Sequence, residues 1–116
     1  MTGIQPEQNL SAVMLDLNGL KLANDTYGHE AGDELINIAA DCMRKAFYVT
    51  DRIYRIGGDE FAVILDGTAV DAEPFLKELD RICAGAKGQY IEGVSIAYGV
   101  AGSEETGNID PVVNLW

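Results

Sequence analysis

The chain has 116 residues, 47% of them hydrophobic, enough to enclose one core and too few for two. With 19 acidic residues against 8 basic ones the formal charge is -11, which argues against a nucleic-acid or anionic-membrane partner, since either needs a basic face. No stretch reaches the roughly 18 consecutive apolar residues of a membrane span, and no charged segment followed by an apolar run opens the chain, so the expectation is a soluble domain without membrane contact of its own.

Residues 1–9 are polar, with Gly3 and Pro6, and read as a lead-in. Leu10 to Leu17 is a short, mostly apolar run and suits a buried central strand with Asp16 near its C-terminal end. Asn18-Gly19 breaks it. Leu20 to Thr26 is a short helix closed by Tyr27-Gly28, and Ala31 to Phe47 a longer one whose Leu35, Ile36, Ala39, Ala40, Met43 and Phe47 make one apolar face. Ile53 to Ile56 and Phe61 to Leu65 are strand-like runs on either side of Gly57-Gly58-Asp59-Glu60, a hairpin signal. Asp71 to Ala84 has helical spacing through Phe75, Leu76, Leu79, Ile82 and Cys83, with Pro74 expected in the first turn. Gly85, Gly88 and Gly93 bracket a loop, Val94 to Ala101 alternates as a half-buried strand, and Asp110-Pro111 has the form of an N-cap and first residue of a further helix.

A tight hairpin joins antiparallel strands, so this order is not an alternating parallel array; an α+β fold follows, with helices covering an antiparallel sheet. Cys42 and Cys83 each fall in a helical stretch and read as buried, reduced thiols, which fits a reducing, cytosolic compartment.

If the hairpin lies beside the first strand, Asp16, Asp59 and Glu60 converge at one edge of the sheet. Clustered carboxylates repel, and the usual remedies are a raised pKa on one of them or a hard divalent cation, which for Mg²⁺ takes a few carboxylate oxygens, water and substrate phosphates. In so acidic a chain a nucleoside triphosphate needs such a cation or a local cluster of donors. The other reading of Asp59-Glu60 is a solvated turn, and spacing alone leaves both open. Asn24-Asp25 could likewise end a helix, and Gly32-Asp33 cap the next. His29, between Gly28 and Glu30, reads as structural.

Asp16-Leu17-Asn18-Gly19-Leu20-Lys21, Asn24-Asp25, Gly28 to Asp33, Asp51, Arg55 and Gly57-Gly58-Asp59-Glu60-Phe61 resemble, in order and spacing, the pattern of the GGDEF domain, the catalytic module of diguanylate cyclases; Ser95 to Gly99 resembles its later strand. The resemblance implies a ferredoxin-like, nucleotide-cyclase palm fold as one domain over residues 1–116, with core motifs at 10–66 and a later strand at 94–101. It implies a nucleotidyltransferase that condenses two GTP into cyclic di-GMP and releases pyrophosphate, as a homodimer, with further sensory or output domains in a longer protein. Mg²⁺ (or Mn²⁺) is expected on Asp16, the Leu17 carbonyl, Asp59 and Glu60, with Asp59 and Glu60 also in the catalytic role.

For the substrate, the resemblance implies phosphates at Gly19, Leu20 and Lys21, where a helix N-terminus offers free amides, and guanine at Asn24 and Asp33. A carboxylate accepts from guanine N1-H and its 2-amino group together, which adenine cannot match. Gly57 and Gly58 are expected to permit φ > 0 and close approach of the nucleotide.

Asn18 stands where the family often has a second Asp, Leu20 where it often has Phe, and Tyr48 where members with a product-inhibition site have Arg, so product feedback at Asp51 is not expected. The family's N-terminal helix, and the C-terminal helix whose Lys and Arg clamp the phosphates, are not found complete in residues 1–116, so these residues alone are expected to turn over weakly or not at all. The alternative is a GGDEF domain that binds GTP and regulates an attached domain without making product.

Overall fold

Backbone hydrogen bonding around Leu10–Leu17 organises the molecule, which is seen in a computed structural model that describes residues 9–102. This strand, β1, pairs antiparallel with β3 (Glu60–Asp66) on one side and with β4 (Ile96–Gly102) on the other. The short strand β2 (Ile53–Arg55) adds antiparallel to β3, so the sheet order is β2-β3-β1-β4. Three helices complete the fold: α1 (Leu20–Tyr27), α2 (His29–Ala46) and α3 (Ala69–Gly85). No helix among the described residues is long and apolar enough to cross a membrane. The architecture is the α+β arrangement expected from the hairpin.

Period-two alternation sends Val13, Leu15 and Leu17 of β1, and Phe61, Val63 and Leu65 of β3, into one core with Leu35, Ala39 and Met43 of α2, Phe47 just after that helix, and Leu76, Leu79 and Cys83 of α3. Each large side chain buried there contributes roughly 1.5–3 kcal/mol. Cys42 and Cys83 are buried and free, as expected. Burial, reinforced by the neighbouring Cys42, pushes the Cys83 thiol up to about 12, which keeps it protonated and unreactive at neutral pH.

Element boundaries moved where capping outweighed apolar spacing. α3 begins at Ala69 because Thr68 and Asp71 form a reciprocal capping box, which puts Pro74 inside the helix and not in its first turn. The missing Pro74 N–H forgoes a bond to the carbonyl of Val70, which lies on an exposed face where water is at hand. α2 begins at His29, behind Gly28 with φ 94°. β4 begins at Ile96 and not Val94, since Val94 N–H donates to the Cys83 carbonyl at 2.9 Å instead of to β1. The helix expected at Asp110-Pro111 lies outside the described residues.

Candidate active site

The sheet register decides what meets at the C-terminal end of β1. Asp16 stands directly opposite Glu60 on β3, and both belong to the sheet face turned away from Val13, Leu15 and Leu17. The Leu17 N–H donates to the Asp59 carbonyl at 2.7 Å, so the signature turn is tied to the end of β1 by the main chain. Asn18, one residue on, is fixed twice to the lead-in of β4: its N–H donates to the Ser95 carbonyl at 2.9 Å and its Nδ2 to Ser95 Oγ at 3.0 Å. The residue that departs from the family's second Asp is thus a structural tie.

The turn itself is held by Arg55, whose Nε donates to the carbonyls of Gly57 and Gly58 at 3.2 Å each and whose guanidinium also reaches the Gly58 carbonyl at 2.9 Å. Ile56 N–H closes the hairpin on the Glu60 carbonyl at 2.7 Å. Sequence reasoning matched Arg55 without assigning it this role; an arginine two residues before a glycine pair, in a chain with few cations, was the available signal. The expectation for Gly57 and Gly58 is corrected here, since neither takes positive φ. What they provide is space: a Cβ on Gly57 would stand 2.6 Å from Glu60 Oε1, and around Gly58 there is nothing within 4 Å.

α1 starts at Leu20, behind Gly19 with φ 86°, and no side chain caps it. The left-handed backbone at Gly19 would strain any residue with a Cβ, though the space around it is open, and the first amides of α1, Leu20 and Lys21 among them, have no intrahelical carbonyl to bond. Lys21 is committed locally, as Nζ pairs with Asp25 at 2.8 Å on the exposed side of α1. At the other end of α1, Asn24 is not a side-chain cap. Its carboxamide lies across Gly32 so closely that a Cβ on Gly32 would fall 1.9 Å from Asn24 Oδ1. Asp33 follows Gly32 on α2 and is exposed, past the helix start instead of capping it. Asn24 and Asp33 therefore sit across the α1–α2 junction from one another. One helical turn beyond Asp33, a cavity of about 700 Å³ opens along α2, lined by Ile36, Asn37 and Arg44 and, from the hairpin side, by Asp51, Arg55 and Phe61.

The carboxylates of Asp16, Asp33, Asp59 and Glu60, like those of Glu30, Asp51 and Glu73, bond to no other described residue, whereas Asp25, Asp41, Asp66, Glu78 and Glu92 all hold a Lys or Arg. Among the described residues no group of three or more acidic, His or Cys side chains closes into a metal cage. The expected three-carboxylate convergence is thus partial: Asp16 and Glu60 face each other, and Asp59 joins them through its main chain. Hard oxygens that leave several positions to water and phosphate suit Mg²⁺, which seldom takes an all-protein cage, so the donor set fits the ion.

The sequence pattern of the family described as "Diguanylate cyclase, GGDEF domain" matches residues 2–113. The chain is a GGDEF domain. It is 36% identical over 99 residues to diguanylate cyclase DgcS of Shewanella oneidensis, covering 84% of this chain and 33% of that protein. To diguanylate cyclase A of Treponema denticola it is 33% identical over 101 residues, covering 84% of this chain and 27% of that one. The chain thus spans about a third or less of these curated relatives. Among solved structures, diguanylate cyclase SiaD of Pseudomonas aeruginosa, crystallised with its activator SiaC, superposes with a TM-score of 0.77 at 27% identity over 91% of this chain and 42% of that one. The FimX GGDEF domain from the same organism gives 0.78 at 22% identity, over 96% of this chain and 72% of that one, a likeness of fold alone. In the GGDEF domain described here, the motif residues occupy one end of the sheet and the adjoining α1–α2 junction.

Proposed function

We propose that this GGDEF domain condenses two GTP molecules into cyclic di-GMP with release of pyrophosphate. The observation that carries the reading is the pair Asp16 and Glu60, register partners on neighbouring strands that each lack a Lys or Arg partner among the described residues, beside a turn whose backbone is fixed to Leu17. Like charges placed directly opposite on a sheet are destabilising, so the arrangement suits a cationic ligand or a metal-bound substrate better than it suits folding.

In this reading the open amides behind Gly19 receive the β- and γ-phosphates. Asn24 and Asp33 hold the guanine, and the lack of Cβ at Gly57 and Gly58 leaves room for the nucleotide over the turn. Asp16, the Leu17 carbonyl, Asp59 and Glu60 would hold Mg²⁺ or Mn²⁺. Bound there, the ion neutralises triphosphate charge and acidifies the ribose 3′-hydroxyl. Asp59 would accept the hydroxyl proton; the 3′-oxygen forms a bond to the α-phosphorus of the second GTP as the bond to pyrophosphate breaks. Two such transfers close the ring.

Little covalent work falls to the protein, which positions groups and stabilises charge. Because each domain holds one GTP and the product is two-fold symmetric, two domains face each other as a homodimer. GTP as substrate places the domain in the cytosol.

Incubating the full-length protein with GTP and Mg²⁺ and analysing for cyclic di-GMP and pyrophosphate, with Asp59→Ala as control, tests the reading. Product that disappears in Asp59→Ala supports it. GTP binding by a well-folded dimer without pyrophosphate release favours the second reading, a domain that binds GTP and regulates an attached domain. That reading draws on Asn18, which stands where the family often has a second Asp.

A further inference from the structure

Glu34 follows Asp33 on α2, and its carboxylate accepts three consecutive main-chain N–H groups from the loop after α3. Gln89 donates to Oε2 at 2.7 Å, and Tyr90 and Ile91 donate to Oε1 at 2.7 and 3.0 Å. The loop is narrow, closed by Gly88 N–H on the Ile91 carbonyl and by Gly93 N–H on the Ala86 carbonyl, both at 2.7 Å. It is also shaped around this one side chain: a Cβ on Gly88 would stand 2.5 Å from Glu34 Cδ and 2.7 Å from Ile38 Cδ1. Tyr90, fixed at its N–H, lays its ring against Tyr27 with centroids 5.9 Å apart. Tyr27 is the last residue of α1, the helix that carries Asn24. The two rings close one side of a cavity of about 310 Å³ between α1 and this loop.

A helix of eight residues is marginal by itself. α1 joins α2 through the single residue Gly28, so its angle to α2, and with it the separation of Asn24 from Asp33, is set by tertiary contacts. We propose that Glu34 is a positioning residue for the base-reading pair Asn24 and Asp33. Its carboxylate fixes the 88–91 loop to α2, and Tyr90 carries that fixed point to the end of α1. Only a carboxylate serves all three donors at once, because a glutamine in the same place turns an N–H₂ group toward one of the loop amides. Displacements near 1 Å at a site of this kind are felt strongly. The proposal rests on the reading of Asn24 and Asp33 as the guanine contacts.

Calorimetry on the full chain with GTP and with inorganic tripolyphosphate separates a positioning role from a general brace. Glu34→Gln is expected to weaken GTP about tenfold, the loss of one or two charge-assisted hydrogen bonds, and to leave tripolyphosphate within about twofold, the pattern also expected of Asp33→Ala. Amide hydrogen exchange should show the 89–91 amides losing protection while those of β1 and β3 keep it. Equal weakening of both ligands makes Glu34 a brace only and overturns the proposal, as does unchanged GTP affinity with the 89–91 amides exchanging freely. Wild-type protein that binds GTP no tighter than tripolyphosphate sinks the base-reading assignment and this proposal with it, and does so without any substitution. Should Glu34→Gln not fold, Tyr90→Leu keeps the carboxylate clamp and removes the ring contact. It is expected to weaken GTP selectively, by about threefold, and no selective loss there also overturns the proposal.

Discussion

Strand β3 carries an acid at each end, Glu60 and Asp66, and the surroundings of the two differ. Around Asp66 the polar groups are served: Arg52 pairs with its carboxylate at 3.3 Å, and Asp71 accepts from the Thr68 N–H at 2.9 Å. Ser11, fully buried on β1, donates to the Gly67 carbonyl at 2.7 Å. Around Glu60 the neighbour is another acid, Asp16, and neither carboxylate bonds to a described residue. The same strand pair thus has one end optimised for folding and one left with uncompensated charge and open amides. Stability conceded at one end of a sheet, while the other is satisfied, accords with the proposal that a ligand binds at the unsatisfied end.

The sharpest way to break this comparison is Asp59→Ala, expected to reduce cyclic di-GMP synthesis at least about 100-fold with thermal unfolding little changed; measurable turnover near wild type would put the chemistry elsewhere. Next is Asp33→Ala, which should weaken GTP about 10- to 100-fold by losing two charge-assisted bonds and erase the preference over ATP, read by competition binding. At the satisfied end, Thr68→Ala removes the α3 cap and should cost about 1 kcal/mol in urea unfolding without altering GTP affinity. Asp16→Asn should do the reverse of a typical site mutation and raise stability slightly in urea unfolding, since like charges opposite each other on a sheet are destabilising; a loss of stability would show that Asp16 has a partner in folding.

Acid sharpens the picture further. Withdrawal from water pushes the Glu34 carboxyl up, but the amides of Tyr90, Gln89 and Ile91 together hold it below its ordinary value of 4.5. A carboxyl whose pKa is lower folded than unfolded contributes stability above about pH 4.5 that is lost as pH falls through the folded value. Between those values Glu34→Gln should therefore flatten the acid side of the stability profile, most visibly as restored exchange of the 89–91 amides in wild type alone.

Much of the fold was legible in residue order. The mostly apolar run Leu10–Leu17 read as a strand, and the two strand-like segments flanking Gly57-Gly58-Asp59-Glu60 led directly to the antiparallel pairing. Helical spacing located α1, α2 and α3 to within a few residues. The shifts came from local chemistry that apolar spacing does not report: the Thr68–Asp71 box lengthened α3, and Gly93 with the Val94 tie to Cys83 delayed β4. At the site, spacing alone left Asp59-Glu60 as a possible solvated turn, and only the joined pattern of Asp16, Asn24, Asp33 and the signature turn distinguished it.

The order of residues by itself determined the family, the α+β class and which acids belong to the motif, because short-range periodicity and motif spacing are properties of the linear chain. Tertiary structure alone decided that Asp16 faces Glu60 and that Asn24 lies against Gly32. It also decided that Arg55 ties down the signature turn, that Gly57 and Gly58 supply room instead of positive φ, and that Glu34 gathers a loop 55 residues away. Those relations depend on strand register and helix docking, which are set by burying one continuous core and are not encoded in any local stretch.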